Sequence, residues 1–345
     1  MTLMSQLSYE NFKKMLIDPD VPDSEIGALM VFDREVGGPF DPRPLPNPDM
    51  VAMDDPEARF DVGGSENALR WANSISRKRR RVRFERRRDL GVKAPVLVSE
   101  GDSWFQFPFV IDDVIDQLNS DHLIWSLDAA GDTAENMVNR RPEYMQALNA
   151  RAAEGSLAAF LFSAAGNDVI GEDELGVPVL EEMLKPHTPG RDAAFHIDQA
   201  ALARILMRLE TAYRKVITTI RSHPEFAKLP IIFHGYDYAI PGSRLDDPRN
   251  PLWADRDQWL GAPMRDRGID DPQLQRDIPR FLIDALYDML NKVAGDPAET
   301  HVHVVDARGT LQQTGDWADE IHATNAGFVA IANRFRSVLQ SAGVA

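Results

Sequence analysis

The chain has no cysteine among its 345 residues. That absence excludes disulfide scaffolds, thiolate zinc sites, iron–sulfur clusters and cysteine nucleophiles together. Long apolar runs are missing too, and no stretch reaches the roughly 18 uninterrupted apolar residues of a membrane-crossing helix. The opening MTLMSQLSYENFKKMLIDPD lacks a basic segment followed by a long apolar core. No export signal is read there, and a cytoplasmic location is the expectation. Basic residues are in deficit: 38 Lys and Arg stand against 54 Asp and Glu, a formal net charge of -16. So acidic a surface is a poor general binder of nucleic acid or anionic membrane, and no specific nucleic-acid partner is expected.

What is present is an ordinary globular balance, 43% hydrophobic and 27% charged, which excludes wholesale disorder. The length suits one full core with appendages or two domains. Residues 1–33 read as a short helical pair. Ser8 can cap the first helix, with Phe12, Met15 and Leu16 on its apolar face. Asp23 or Ser24 can start the second, which carries Ile26, Met30 and Val31. Residues 34–64 are rich in proline, glycine and aspartate and read as an irregular, surface-wrapping segment. Residues 66–88 return to helical character and end in RKRRRVRFERRR, residues 77–88. That run predicts a helix with a solvated basic face or one docked on the acidic body, with an anionic surface facing Arg77–Arg88 as the alternative.

From Pro95 the pattern changes. Apolar runs at Pro95–Ser99, His122–Leu127, Ala158–Ser163, Pro230–Gly235 and His301–Val305 are each followed by helical periodicity. Runs this short and this apolar fit strands buried on both faces of a parallel sheet. Leu202, Ile205, Leu206, Leu209, Tyr213, Val216, Ile217 and Ile220 form one helical stripe. Phe328, Ile331, Ala332, Phe335, Val338 and Leu339 form another. The alternation predicts an α/β fold in three layers, with residues 1–92 an N-terminal helical and irregular extension and 93–345 the main domain.

Ligands of such sheets sit beyond the carboxyl ends of the strands. Gly101-Asp102-Ser103 follows the first run, Ala130-Gly131-Asp132-Thr133 the second and Ala165-Gly166-Asn167-Asp168 the third. Asp319-Glu320-Ile321-His322 precedes the last helix. Each alone can be a turn or a cap. In joint order they supply a hydroxyl nucleophile, oxyanion donors at Ser103, Gly131 and Asn167, and an imidazole base three residues from a carboxylate that can orient it. There is no G-x-S-x-G elbow, phosphate loop or dinucleotide fingerprint.

At EGDSW, AAGDT, AAGND and DEIHATNAGF the sequence resembles the SGNH (GDSL-type) hydrolases over about residues 93–342. The resemblance implies a flavodoxin-like sandwich with a five-stranded parallel sheet of order 2-1-3-4-5. It also implies ester hydrolysis by Ser103, His322 and Asp319 without metal or organic cofactor. Two departures are Trp104, where leucine is usual after the serine, and Ala323, where proline is common after the histidine.

Trp104, Phe105, Phe107 and Phe109 read as core packing or as an apolar wall for the substrate. Tyr236 and Asp237, leaving the fourth run, border the predicted cleft. The long segments 168–194 and Tyr236–Asp271, the latter with Trp253 and Trp259, are expected to flank it. His301 and His303 alternate as metal ligands can, but no third ligand is spaced to join them, so no metal site is expected. The expected substrate is a small-molecule or lipid ester. An acyltransferase with the same triad, or an effector hydrolase recruited by a protein partner on residues 1–33, are the alternatives.

Overall fold

The computed structural model describes residues 6–32, 44–53, 65–172, 177–242, 249 and 259–344. Chain order begins with helix α1 (Tyr9–Ile17), whose first turn is capped by Ser8 accepting the Asn11 N–H. Helix α2 (Asp23–Ala28) follows. It stops short of the expected Met30 and Val31. Those residues lie in a strand, Met30–Phe32, paired antiparallel with Pro44–Pro46, because extended backbone there finds ladder partners that another helical turn would lack. Leu7–Ser8 pairs with Val51–Ala52. The rest of the expected irregular segment, residues 33–43 and 54–64, lies outside the described residues.

Helix α3 (Ser65–Asp89) carries the arginine run. Then come strands β1 (Val96–Gly101) and β2 (Leu123–Ser126), helix α4 (Tyr144–Ala153), strand β3 (Leu157–Ser163), helix α5 (Gln199–Arg221), strand β4 (Ile231–His234), helix α6 (Pro272–Ala294), strand β5 (Val302–Val305) and helix α7 (Asn325–Ser341). The five strands form one parallel sheet in the order β2-β1-β3-β4-β5, the expected topology. All residues of β1 and β4 are buried, as a sheet covered on both faces requires. The sheet grows one way from β1 to β2 and the other way thereafter. Right-handed crossovers then place the β1–β2 connection on one face and the helices connecting the later strands on the other. Consistent with this, α5 packs on α6, while α7 packs on the short helix Val114–Leu118 and on β5. Asp198, Asp271 and Thr324 cap α5, α6 and α7 through their side chains.

Much of the arginine run is used internally. Arg79 is 1% exposed. Its guanidinium donates to the carbonyls of Met15, Leu16, Asp18 and Val21 at 2.6–2.9 Å and to Asp23 at 2.7 Å, satisfying the orphan acceptors at the end of α1. Arg80, buried as well, reaches Asp113 at 2.5 Å, Asp116 at 2.7 Å and the Phe105 carbonyl at 2.5 Å. Arg83 and Arg86 pair with Asp23 and Asp20. Arg87 bonds the Asn119 and His122 carbonyls, and Arg88 pairs with Glu154. Tyr9, Phe12, Leu16 and Ile26 are buried in a small core with Ala72 of α3 and Phe109, so their apolar face is already covered. Among the described residues no helix is long and apolar enough to cross a membrane.

Candidate active site

Strand β1 ends at Gly101, and only glycine fits there. A Cβ would lie 2.6 Å from Phe105 Cδ2 and 2.8 Å from Ser163 Cβ. The chain then folds into a single helical turn. The Asp102 carbonyl accepts the N–H groups of Phe105 and Gln106, and Asp102 Oδ1 accepts that of Trp104. Ser103 is thus held half-buried at the start of the turn, beyond the carboxyl edge of the sheet.

After β5 the chain runs to Asp319. Its Oδ1 accepts the backbone N–H groups of Ile321 and His322 at 2.8 and 2.6 Å. Its Oδ2 lies 2.7 Å from His322 Nδ1. A carboxylate oxygen only accepts, so Nδ1 carries the proton and Nε2 is a free base. His322 Nε2 lies 2.7 Å from Ser103 Oγ, across 219 positions of sequence. Phe107 meets the His322 ring edge-on at 4.5 Å, and Trp259 does so at 5.7 Å. Trp104 has a task leucine could not perform, since its indole N–H donates to the Ile321 carbonyl at 2.8 Å and ties the serine turn to the histidine loop. Between the two triad residues of that loop, Glu320 is buried. Its carboxylate, raised in pKa by burial, accepts the N–H groups of Gly242, Leu260 and Gly261. It anchors the long segment after β4, of which residues 243–248 and 250–258, Trp253 included, lie outside the described residues.

Asn167 follows β3. The turn is reached through Ala165, held at φ 102°, a left-handed conformation that costs a non-glycine residue energy and is retained where surroundings impose it. One amide hydrogen of Asn167 goes to the Asp132 carbonyl at 2.8 Å, leaving the second. Gly131, at φ 82°, precedes that carbonyl. Its turn is fixed from outside the main domain. Asn73 of α3 donates to the Ala130 carbonyl and accepts the Ala130 N–H, both at 3.0 Å. This use of the N-terminal extension was not visible in the sequence.

No family model and no curated protein sequence matches the chain. Solved structures do. A protein from Streptococcus pneumonia, provisionally described as a platelet activating factor, is 13% identical over 79% of this chain and 94% of that one, with a TM-score of 0.40. A provisionally described SGNH hydrolase from Slackia heliotrinireducens is 12% identical over 72% of this chain and 100% of that one, at 0.38. An acetyl xylan esterase from the rumen bacterium Butyrivibrio proteoclasticus is 12% identical over 72% of this chain and 64% of that one, at 0.39. The structural neighbours include SGNH- and GDSL-type hydrolases and esterases, at low sequence identity.

A second Ser–His–Asp arrangement lies beneath the first. Ser163 Oγ is 2.7 Å from His234 Nε2 and 3.0 Å from Asp102 Oδ1. Tyr236 donates its hydroxyl to Asp102 Oδ2 and accepts the Gly166 N–H at 2.8 Å, so it joins the serine turn to the asparagine turn. Burial pushes the Asp102 carboxyl up to about 6 and the His234 imidazole down to about 4. Ser163 and His234 are fully buried and do not line the cavity at Ser103, so this set supports the site without offering a nucleophile there. The HGYD motif of residues 234–237 was its only trace in the sequence.

One expected substrate contact, Phe105, does not line the cavity at Ser103. Phe105 is fully buried, stacked on His234 at 5.2 Å and against Phe335, and is core. Asp237 lines that cavity, and its carboxylate also accepts the N–H groups of Tyr238, Gly309 and Leu311 at 2.6–2.7 Å, which anchors the 309–311 turn. Trp104 and Tyr236 do line a cavity of about 80 Å³ that begins at Ser103, Gly166 and Asn167. Val169, Ile170 and Leu260, from the two long segments, line it as well. The described residues contain no group of three or more metal-binding side chains.

Proposed function

We propose that the protein is a serine ester hydrolase. Ser103 Oγ attacks the ester carbonyl as His322 Nε2 takes its proton, and Asp319 holds the imidazole and stabilises its charged form. The N–H groups of Ser103 and Gly131 and the second amide hydrogen of Asn167 receive the charge that develops on the carbonyl oxygen. The carbon–oxygen bond to the alcohol breaks as His322 returns the proton to that oxygen. Water, deprotonated by the same imidazole, then releases the acid from Ser103.

The observation that carries this reading is the contact of Ser103 Oγ with an imidazole whose other nitrogen is held by a carboxylate, at the mouth of a cavity. The test is turnover of p-nitrophenyl butyrate by the intact chain. Ser103→Ala and His322→Ala should each lower kcat about a thousandfold or more. Asn167→Ala should lower it about a hundredfold or more, the usual loss for one oxyanion donor. Equal rates in all four proteins exclude the mechanism.

A further inference from the structure

We infer that the cavity beside Ser103 is an acyl pocket for short, unbranched aliphatic acids of about butyryl length, an inference that rests on the ester-hydrolase reading above. The mouth is Ser103, Gly166 and Asn167. The wall descends along Leu202, Leu206 and Leu209 of α5 and along Pro279, Leu282 and Leu286 of α6. Each helix leads from the carboxyl edge of the sheet back to the start of the next strand, so Leu209 and Leu286 lie deepest. The polar residues on the wall are already committed: Asp102 and Tyr236 to each other, and Asp237 to the 309–311 turn. A hydroxylated or charged acyl group would find no partner there and would lose its hydration.

Volume sets the length. A cavity of about 150 Å³ admits benzene, six carbons, so one of about 80 Å³ admits roughly three. With the carbonyl carbon bonded to Ser103 Oγ at the mouth, three further carbons make a butyryl group. In the reaction the Oγ–acyl bond forms, the ester bond to the alcohol breaks, and the serine proton leaves on the alcohol through His322; water then reverses the sequence. The alcohol side stays outside the pocket and places no demand on it.

The experiment is a series of p-nitrophenyl acetate, butyrate and octanoate with the full chain, using Ser103→Ala as the blank. Each methylene that enters the pocket should raise kcat/KM about fourfold, so butyrate, two methylenes longer, should exceed acetate roughly fifteenfold. Octanoate should fall at least tenfold below butyrate. Leu209→Ala deepens the pocket and should move the optimum toward octanoate. Leu206→Ala, at a half-buried position, serves as a second enlarging variant should the first fail to fold. Ala239→Phe fills the pocket and should remove the advantage of butyrate over acetate while acetate is still turned over. A rate that depends on Ser103 but is flat with chain length, is confined to acetate, or is unmoved by both enlarging and filling overturns the pocket alone. No turnover above the Ser103→Ala blank overturns the hydrolase reading, and the pocket with it.

Discussion

Protons are scarce in the buried Asp102–Ser163–His234 chain. His234 Nδ1 lies 2.5 Å from the Gly235 carbonyl, which only accepts, so Nδ1 holds the proton and Nε2 accepts from Ser163. The one Ser163 proton then serves two acceptors, His234 Nε2 and Asp102 Oδ1 at 3.0 Å, while burial pushes the Asp102 carboxyl up to about 6. The two groups act oppositely on stability. Asp102, raised from 3.8 to about 6, contributes stability at low pH that is lost as pH rises through that window. His234, lowered from 6.5 to about 4, contributes stability at high pH that is lost as pH falls through nearly the same window. Each effect is of the order of 3 kcal/mol, so these two contributions offset one another between about pH 4 and 6.5. His234→Gln keeps a polar partner for Ser163 and removes one titration. In urea unfolding the stability of that variant should fall relative to the parent as pH rises from about 4 to 6.5; a flat or rising difference refutes a buried, neutral His234.

Among the elements, α3 departs furthest from its sequence appearance. Read as a pattern, RKRRRVRFERRR is a basic surface. In the fold, Arg79 and Arg80 are among the most buried polar side chains, each answering acceptors from segments far along the chain. Removing one partner of a buried ion pair leaves the others desolvated and uncompensated, at a typical cost of about 3–5 kcal/mol. Arg80→Ala is expected to lose that much in denaturant unfolding, because Asp113 keeps its burial without its cation. Lys78→Ala, at an exposed position on the same helix, is expected to stay within about 0.5 kcal/mol of the parent. Equal, small losses in both variants would return the run to a solvated face.

For the whole molecule, residues 1–92 and the remainder are joined through the candidate site. Asn73 clamps the turn that carries Gly131, Gln106 bonds Asn73 at 2.9 Å, and α3 lies against β2. A chain begun at residue 93 would uncover that strand, strand Asp113 without Arg80 and release the Gly131 turn. We expect it to lack cooperative unfolding in urea, and a truncated chain with a sharp, parent-like transition would show the extension to be dispensable. The sequence alone determined the sheet, its strand exits and the candidates Ser103, Asn167, Asp319 and His322, because each lies in a short local pattern: an apolar run long enough for a buried strand, then a turn, then a reactive group. Only the tertiary structure decided that Arg79 and Arg80 face inward, that Asn73 supports the Gly131 turn, that Ser163, His234 and Tyr236 brace Asp102, and that leucines of α5 and α6 bound a cavity of about 80 Å³. Those facts depend on partners tens to hundreds of residues apart, and which distant surfaces meet is set by how helices close over a sheet, an arrangement that no local periodicity encodes.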